Sequence, residues 1–316
     1  MQKSASSDHP LLEVKNLHRR YPVGRGRVLH AVAGVSLTVA RGEALALVGE
    51  SGCGKSTLGR LLIALDQPDE GEVRFEGQVI SGRSERAMRS MRPRMQMVFQ
   101  DSLSSFNPRR RVGDALLEPL KIHRRSYDAG TLERLLEQVG LPVDVKGRFP
   151  KTFSGGQRQR LNIARALVLQ PDLLVADEPV SALDVSLQAQ IINLFHELRA
   201  RLGLACVFIS HDLSVVRQMA DRVAVMYLGR IVEVGETLSL MQHPAHPYSR
   251  ALLDAIPRLN QPLPNALQGD VPSPVDVPSG CPFHTRCPVV RSRCGQERPM
   301  LRPVGGGREV ACHYPV

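Results

Sequence analysis

The 316-residue sequence has no tryptophan, and aromatic residues make up only 4% of it. Proteins that bind single-stranded nucleic acids stack bases on aromatic rings, so this composition disfavours that class. Apolar runs are also short, since none approaches the ~20 residues that a helix needs to cross a bilayer. The polar residues 1–8 lack the apolar core of a signal peptide. We therefore expect a cytoplasmic protein that would serve a membrane process only as a peripheral subunit.

What the sequence has in excess is positive charge. Lys and Arg number 41 against 31 Asp and Glu, which gives a formal net charge of +10. A basic balance favours an anionic partner, which can be a nucleic acid, a membrane surface or a small ligand. No single basic block dominates; the nearest to one is Arg109–Arg111. Ordinary variation in surface charge explains the excess equally well, so charge alone leaves these alternatives open.

Short apolar runs that alternate with amphipathic stretches indicate the fold class. Ala44–Val48 predicts a buried strand that leads into a glycine-rich turn, and Ser56–Leu65 predicts the helix after it. Leu173–Ala176 and Cys206–Ile209 are typical of buried parallel strands. Residues 186–201, between them, have the apolar spacing of a helix. Strands that alternate with helices predict an α/β core.

Two segments depart from this alternation. From about residue 101 to 165, helical stretches such as Val112–Leu120 and Leu132–Val139 replace strands, which predicts a helical subdomain inserted into the core. We expect a main domain over residues 1–258, followed over residues 259–316 by a linker and a short cysteine-rich tail. Prolines past Tyr248 are expected to make the chain stiff and extended around and beyond this boundary, and they are Pro257, Pro262, Pro264, Pro272, Pro274 and Pro278.

The residues Gly49–Ser56 form the pattern G-x-x-x-x-G-K-S between a predicted strand and a predicted helix. Glycines at this spacing let backbone N–H groups turn inward around phosphates, and the helix N-terminus adds a favourable dipole. We expect Lys55 to reach the β- and γ-phosphates of a nucleotide and the Ser56 hydroxyl to bind Mg²⁺. The predicted nucleotide contacts are Gly49, Glu50, Ser51, Gly52, Cys53, Gly54, Lys55, Ser56 and Thr57.

The apolar run Leu173–Ala176 ends in two acids, Asp177 and Glu178. Asp177 is placed to hold Mg²⁺ at the C-terminal edge of the strand, and Glu178 to polarise the attacking water as a general base. A strand that ends in two acids is common and, alone, usually structural. The phosphate loop upstream in the same chain favours the catalytic interpretation.

Ser154-Gly155-Gly156-Gln157 opens a predicted helix that runs through Leu169. This segment resembles the signature motif of ABC ATPases, with Phe153 where the family usually has leucine. The resemblance implies that the Ser154 hydroxyl and the N–H groups of the two glycines bind the γ-phosphate held by an opposite ATPase subunit. In physical terms, the motif is a second helix N-terminus that binds an anion.

The remaining motifs follow in the order that the ABC family has, and the resemblance covers about residues 11–258. It implies that Gln100 lies on the loop that senses Mg²⁺ and meets the membrane subunit, and that Asp184 lies on the loop that crosses the dimer interface. It also implies that His211 contacts the γ-phosphate as a switch and that Tyr21 stacks on adenine. The implied Mg²⁺ ligands are Ser56, Gln100 and Asp177.

Further segments resemble the peptide-importer branch of the family, and the set is most similar to the second ATPase subunit of dipeptide permeases. The resemblance implies an ATP-hydrolysing subunit that energises the uptake of dipeptides or oligopeptides. Relatives with much the same set import nickel, opines or antimicrobial peptides, which stay as alternatives. The segments are Phe106–Arg109, Met226–Arg230, His246–Leu253, Pro272–Pro274 and Gly280–Cys287.

The same resemblance implies the partners. Each motif occurs once in the chain, whereas a complete site needs the signature motif of a second ATPase chain. We expect a heterodimer with a sister ABC ATPase subunit. The dimer is expected to bind two permease membrane subunits, to which a peptide-binding receptor protein delivers the substrate. The expected location is the cytoplasmic face of the inner membrane.

Three other classes of protein compete with this interpretation. An ABC ATPase that acts on nucleic acid is compatible with the charge, but no heptad array separates Lys55 from Ser154 and no second cassette follows, so we expect no nucleic-acid partner. The signature motif argues against an unrelated P-loop kinase. Glu178 and His211 argue against a subunit that binds ATP without hydrolysing it.

Four cysteines near the C-terminus have the spacing C-x₅-C-x₆-C-x₁₇-C. In a reducing cytosol such a cluster predicts metal ligands before disulfides. Zinc sites usually contain a tight pair of cysteines, which is absent here, whereas iron–sulfur clusters tolerate varied spacing. Resemblance to the tails of the dipeptide-permease branch favours a 4Fe–4S cluster, with zinc or free thiols as alternatives. The predicted ligands are Cys281, Cys287, Cys294 and Cys312.

Overall fold

The computed structural model of the protein describes residues 9–24, 26–101, 105–181, 183–256 and 269–316. The predictions for residues 1–8, for Ala182 within the dimer-interface loop and for the prolines at 257, 262 and 264 lie outside the described residues. The chain forms two compact units. The described residues of 1–39, 44–82 and 210–316 make up the first, and those of 40–43 and 83–209 the second.

The strands and helices have the following bounds. In chain order the strands are β1 Leu12–Pro22, β2 Val28–Val39, β3 Ala44–Val48, β4 Glu70–Phe75, β5 Gln78–Val79, β6 Met95–Val98, β7 Leu173–Asp177, β8 Ala205–Ser210, β9 Arg222–Tyr227, β10 Arg230–Glu236, β11 Arg302–Gly305 and β12 Arg308–Val310. The helices are α1 Lys55–Leu62, α2 Glu85–Met88, α3 Val112–Ile122, α4 Thr131–Gln138, α5 Gly155–Leu167, α6 Val185–Leu202, α7 Leu213–Met219, α8 Thr237–Gln242, α9 Pro247–Asp254 and α10 Ser292–Gln296. Short 3₁₀ helices lie at Arg92–Arg94, Val143–Gly147, Pro150–Thr152 and His284–Arg286.

The first unit contains an antiparallel sheet with the strand order β2-β1-β4-β5. Strand β1 pairs on one side with β2, where Leu12 faces Val39, and on the other with β4, where Leu12 faces Phe75. All three of these side chains are buried. This apolar face sets the register, because a slip by one residue would turn the buried set of β1 toward solvent.

A second set of strands in the first unit has the order β11-β12-β10-β9-β3. Strand β3 is buried along its whole length and pairs in parallel with β9, with Leu45 opposite Arg222 and Val48 opposite Val225. This confirms the strand that the sequence predicts over Ala44–Val48. The helix predicted to follow it starts at Lys55 and ends at Leu62, earlier than expected, because the backbone turns at Ala64, which has a φ of 53°.

The C-terminal tail packs within the first unit. Strand β12 pairs with β10, Glu233 opposite Val310, and forms a hairpin with β11. The sequence did not predict these two strands. The side chains of Cys281, Phe283 and Cys294 are buried in the same apolar cluster as residues of β3 and β9. These described residues of the tail therefore contribute to the core of the unit that contains the phosphate loop, and a smaller cluster joins Val304, Val310 and Cys312 to Ala245.

The second unit contains the parallel strands β6-β7-β8, with Leu173 opposite Met95 and Ala205. The strand predictions for this unit are confirmed with shifts of one residue at the ends. Helix α6 matches the stretch predicted over residues 186–201. The Asp184 side chain accepts a hydrogen bond from the Leu187 N–H at its start, and Gly203 ends it with a φ of 62°.

Helices α3, α4 and α5 lie in the chain between β6 and β7, and the described residues of 99–172 include no strand. The two predicted helical stretches correspond to α3 and α4. These helices group with the rest of the second unit, so a helical subdomain over about 101–165 stays a prediction. No helix in the described part of the chain has both the length and the apolar character required to cross a membrane.

The packing of the tail predicts a large effect of Phe283→Ala on stability. Phe283 is fully buried, and its ring lies 5.4 Å from that of Tyr227 and 5.3 Å from that of Tyr248. Removing a buried ring of this kind lowers the free energy of unfolding by about 3–5 kcal/mol, which urea denaturation followed by circular dichroism would measure. The control Met300→Ala, at a tail residue that is 78% exposed, should change it little. Equal effects of the two variants would show that the tail is not part of the core.

Candidate functional site

At two positions of the loop between β3 and α1, only glycine fits. Gly49 has a φ of 152°, and a Cβ there would lie 2.2 Å from the carbonyl oxygen of Met226. Gly54 has a φ of 104°, and a Cβ there would lie 1.9 Å from the carbonyl oxygen of Ala31. The backbone therefore curls tightly into the start of α1, as the phosphate-binding pattern predicts.

Lys55 is the first residue of α1 and only 6% exposed. Its ammonium group donates hydrogen bonds to the carbonyl oxygens of Gly49, at 2.7 Å, and Glu50, at 2.8 Å. These carbonyl contacts compensate the burial of the charge and bend the side chain back over the loop. Phosphate oxygens are stronger acceptors than carbonyls for an ammonium donor, so the side chain is placed to exchange these partners for a phosphate.

The Cys53 thiol is buried within the loop, and its sulfur lies 3.8 Å from Lys55 Nζ. Burial raises the pKa of the thiol, an effect that the nearby ammonium of Lys55 opposes. A thiol that stays protonated is a poor nucleophile. The thiol of Cys53 is therefore not set up as a nucleophile, and the predicted contact of this residue with a nucleotide stays a prediction.

In the second unit, the acidic pair ends strand β7. The Asp177 side chain is buried, while Glu178 has a φ of 46°, and its N–H donates to the carbonyl oxygen of Ile209 at 2.9 Å. Left-handed backbone at a residue other than glycine is uncommon and concentrates at functional sites. Gln100 Nε2 donates to the Glu178 carboxylate at 2.8 Å. The sequence predicted both residues as functional, but not this bond between them.

The segment Ser154–Gln157 begins helix α5, as predicted. The Ser154 hydroxyl accepts a hydrogen bond from the Gln157 N–H at 3.3 Å, and the Gln157 side chain accepts one from the Ser154 N–H at 3.1 Å. This is a capping box, which satisfies two of the N–H groups at the helix start. A Cβ at Gly156 would lie 3.1 Å from the Leu187 side chain, so the glycine lets α5 approach α6 closely.

Asp184 caps the next helix in the same unit. Its carboxylate accepts the Leu187 N–H at 2.9 Å and the Ser186 hydroxyl at 2.8 Å. These bonds, first the one from the Leu187 backbone, lower the pKa of the carboxyl group. The residue assigned to the dimer interface is thus an ionised helix cap.

Tyr21 and His211 belong to the first unit. The Tyr21 hydroxyl donates to Asp66 at 3.4 Å, and the Arg19 guanidinium lies 4.7 Å from the centre of the Tyr21 ring. The guanidinium thus contacts one face of the ring that was predicted to stack on adenine. His211 is exposed and follows β8, and Asp212 after it caps α7. The assigned roles of Tyr21 and His211 stay predictions.

The four C-terminal cysteines line one cavity, together with histidines at 246, 284 and 313. Burial raises the pKa of the Cys281 thiol to about 11. Four cysteines are the donor set that iron–sulfur clusters use, so the residue types suit the predicted cluster. Within the described residues, however, no group of three or more His, Cys, Asp or Glu side chains is arranged to hold a metal ion. The predicted cluster is not confirmed.

Comparison with known proteins agrees with this architecture. Residues 32–181 match the ABC transporter family, and residues 232–294 match the oligopeptide/dipeptide transporter C-terminal region. The chain is 48% identical to the putative oligopeptide transport ATP-binding protein YkfD of Bacillus subtilis (strain 168), over 96% of this chain and 95% of that protein. It is 49% identical to a putative peptide import ATP-binding protein of Brucella ovis, over 97% and 98% of the two chains.

The fold also matches solved cassettes. A dimeric post-hydrolysis state of the ATP-binding cassette MJ0796 with ADP and Pi has a TM-score of 0.66 and 28% identity, and the match covers 72% of this chain and 98% of that one. The cbiO1 subunit from Clostridium perfringens has the same TM-score at 26% identity, with coverage of 74% and 91%. The fold and the phosphate loop thus define an ABC-type ATPase.

Within that class, the chain belongs to the family of ATP-binding subunits of oligopeptide and dipeptide ABC transporters. ATP hydrolysis, which the sequence predicted from the phosphate loop and the acidic strand end, is the activity of this class. The roles of individual residues remain predictions that substitution can test.

The geometry around Glu178 predicts that Glu178→Gln abolishes turnover but not binding. The change removes the carboxylate predicted to act as the base and keeps the size of a side chain that already accepts a hydrogen bond from Gln100. General-base catalysis contributes about 10²–10⁴-fold to a rate, so phosphate release by the assembled transporter should fall by that factor while the Kd for ATP stays within about twofold. Glu197→Gln, an exposed carboxylate on α6, is the matched control. Near-normal ATPase activity of Glu178→Gln would refute its assignment as the base.

Proposed function

We propose that this chain energises the import of dipeptides or oligopeptides by binding and hydrolysing ATP. The observation that carries the proposal is a likeness that spans nearly the whole chain, the C-terminal region included, to proteins described as peptide import or oligopeptide transport ATP-binding proteins. The same ATPase role for nickel, an opine or an antimicrobial peptide is the alternative. The net charge is all that favours a nucleic-acid partner, and we do not propose one.

In this proposal, residues of one chain act on the phosphates of ATP. Lys55 neutralises charge on the β- and γ-phosphates, Glu178 accepts a proton from the attacking water, and His211 contacts the γ-phosphate. Preorganised charge and a placed base supply most of the catalysis in phosphoryl transfer. Tyr21 stacks on adenine.

Mg²⁺ is implied by the family, and the donor types suit it. Ser56 offers a hydroxyl, Asp177 a carboxylate and Gln100 a carboxamide oxygen, and oxygen ligands of these kinds are those that Mg²⁺ takes. When bound, the ion neutralises charge that develops on the phosphates. The hydrogen bond from Gln100 to Glu178 supports the proposal, because it places the Gln100 side chain beside the acidic end of β7.

The signature segment Ser154–Gln157 acts in trans, on the ATP held by a second ATPase chain. Its position at the start of the 13-residue helix α5 supports this role, because the N-terminus of a helix attracts anions. Asp184 lies at the same interface. The neighbour MJ0796 is described as dimeric, and by resemblance to dipeptide permeases we propose a different sister ATPase as the partner here.

The remaining partners are two permease membrane subunits, which this chain contacts as a peripheral subunit at the cytoplasmic face of the inner membrane. We propose that Gln100 and the segment from Phe106 to α3 contact them. The Phe106 ring is buried and lies 5.6 Å from the guanidinium of Arg165 on α5, so the segment is anchored, while the basic run that follows it, Arg109–Arg111, is exposed. A receptor that binds peptides outside the membrane completes the system.

Assembly and transport test the proposal together. Purification through a tag on this chain, after co-expression with the genes beside it, is expected to recover a different ATPase chain and two membrane proteins. Vesicles that contain this complex should take up a labelled dipeptide when ATP is present, because hydrolysis drives the cycle. The same complex with Glu178→Gln should assemble and take up none.

Two outcomes would contradict parts of the proposal. Uptake of nickel or an opine without peptide uptake would contradict the substrate and preserve the ATPase role. A fully active complex that contains only two copies of this chain would contradict the sister ATPase.

We propose that the four C-terminal cysteines hold a structural 4Fe–4S cluster, with zinc as the alternative. Their common cavity and the donor type support this proposal. Such a site would stiffen a tail that is too short to form its own core. ATP hydrolysis requires no electron transfer, so we assign the site no redox step.

Metal analysis after anaerobic purification tests the cysteine site. We expect on the order of four iron and four sulfide per chain, and a loss of both in Cys287→Ala because one ligand is gone. Cys206→Ala, a buried cysteine of β8, is the control that should keep them. Stoichiometric zinc without iron would exclude the cluster, and a chain with neither metal would exclude the site.

A further inference from the structure

An ion pair joins the C-terminal tail to the phosphate loop. Arg286 Nη1 lies 2.8 Å from one carboxylate oxygen of Glu50, and Nη2 lies 3.1 Å from the other. The Arg286 side chain is only 5% exposed and that of Glu50 25%. The two residues are separated by 236 positions, and both belong to the first unit.

A second contact reaches the same loop residue from helix α9. The Glu50 N–H donates to the Tyr248 hydroxyl at 3.0 Å. The Tyr248 ring packs against Tyr227, 4.6 Å away between centres, and against Phe283 of the tail, 5.3 Å away. Glu50 is therefore held at its backbone by Tyr248 and at its carboxylate by Arg286.

The bidentate geometry of the Arg286–Glu50 pair stabilises the contact between the tail and the phosphate loop. Two parallel hydrogen bonds between a guanidinium and a carboxylate are stronger than neutral bonds and fix the relative orientation of the groups. Salt screens a pair with so little exposure much less than a surface pair, and removal of one partner leaves an uncompensated charge.

Glu50 also contacts Lys55, the lysine of the phosphate loop. The Glu50 carbonyl oxygen accepts a hydrogen bond from Lys55 Nζ, and Arg286 itself is fixed further by a bond from its Nε to the carbonyl oxygen of Gly269 at 3.1 Å. The chain of contacts thus runs from the tail through Arg286 and Glu50 to Lys55.

We propose that Arg286 is a positioning residue of the ATP site. It fixes Glu50, and through Glu50 the curvature of the phosphate loop and the place of Lys55. It also neutralises a carboxylate that would otherwise stand beside the phosphates of ATP. The C-terminal tail is therefore part of the nucleotide-binding apparatus of its own chain. This inference rests on the proposal that Gly49–Ser56 binds ATP.

Binding of MgATP to the purified full chain, measured by titration calorimetry, tests the inference. Arg286→Met keeps the aliphatic stem and removes the charge, and it should raise the Kd about tenfold, which corresponds to about 1.4 kcal/mol. Arg286→Lys should recover part of the loss, since it keeps the charge without the bidentate geometry. In the assembled transporter, the KM for ATP should rise by a similar factor while kcat changes less than twofold.

The control and a double variant separate positioning from folding. Arg293 and Glu297 form an equally bidentate pair on the exposed surface of the tail, at 2.6 and 3.0 Å, so Arg293→Met should leave the Kd unchanged. Glu50→Ala removes the carboxylate itself, so it should weaken binding less than Arg286→Met, and the double variant should weaken it no more than Arg286→Met alone, because both changes break one interaction.

Three results would overturn the inference. One is a Kd for Arg286→Met within twofold of the wild-type value while the wild-type chain binds ATP normally. The second is a Kd of the double variant that rises by the product of the two single-variant factors, as two independent effects would give. The third is an equal loss of binding in Arg293→Met. A wild-type chain that binds no ATP would instead refute the proposed function, and this inference with it.

Discussion

The close approach of two backbone carbonyls to the phosphate loop is the constraint on which the site depends. Strand β2 brings the carbonyl oxygen of Ala31 against Gly54, and the end of β9 brings that of Met226 against Gly49. Because no Cβ fits at either glycine, neighbouring backbone constrains the path of the loop. That path places Lys55 at the start of α1. It also places Glu50 between Tyr248 and Arg286.

Several groups assigned to phosphate or metal contacts already have a partner within the chain. Lys55 donates to two carbonyl oxygens, Gln100 donates to Glu178, and the Ser154 hydroxyl accepts from the Gln157 N–H. Binding at such a site exchanges one set of hydrogen bonds for another, and only the difference between the sets contributes to affinity. These internal bonds also keep the side chains near their working positions, which reduces the ordering that a ligand must impose.

The functional motifs that could be predicted from the sequence are those that consist of neighbouring residues. The glycine spacing of the loop, the apolar strand before Asp177 and the cap at Ser154 are local patterns, and each was found at its predicted place. Contacts between distant positions carry no such pattern. Gln100 and Glu178 are 78 residues apart, and Glu50 and Arg286 are 236 apart, so neither pair could be recognised from one sequence. The hairpin of β11 and β12 was missed for a related reason. It is short and rich in glycine, and its second strand pairs with β10, which lies about 75 residues earlier in the chain.

The pairing of β12 with β10 also keeps other chains from pairing with β10. A strand at the rim of a sheet offers unpaired N–H and C=O groups to any other strand, and natural proteins cover or interrupt such rims. Here the cover is a chain segment that begins far beyond β10 in sequence and ends against it. Loss of the residues after 269 would uncover the rim of β10 and expose the rings of Tyr227 and Tyr248, which now pack on Phe283. The tail thus moves the edge of these strands from β10 to the four-residue strand β11, whose short length and Pro303 make it a poor partner for a further strand.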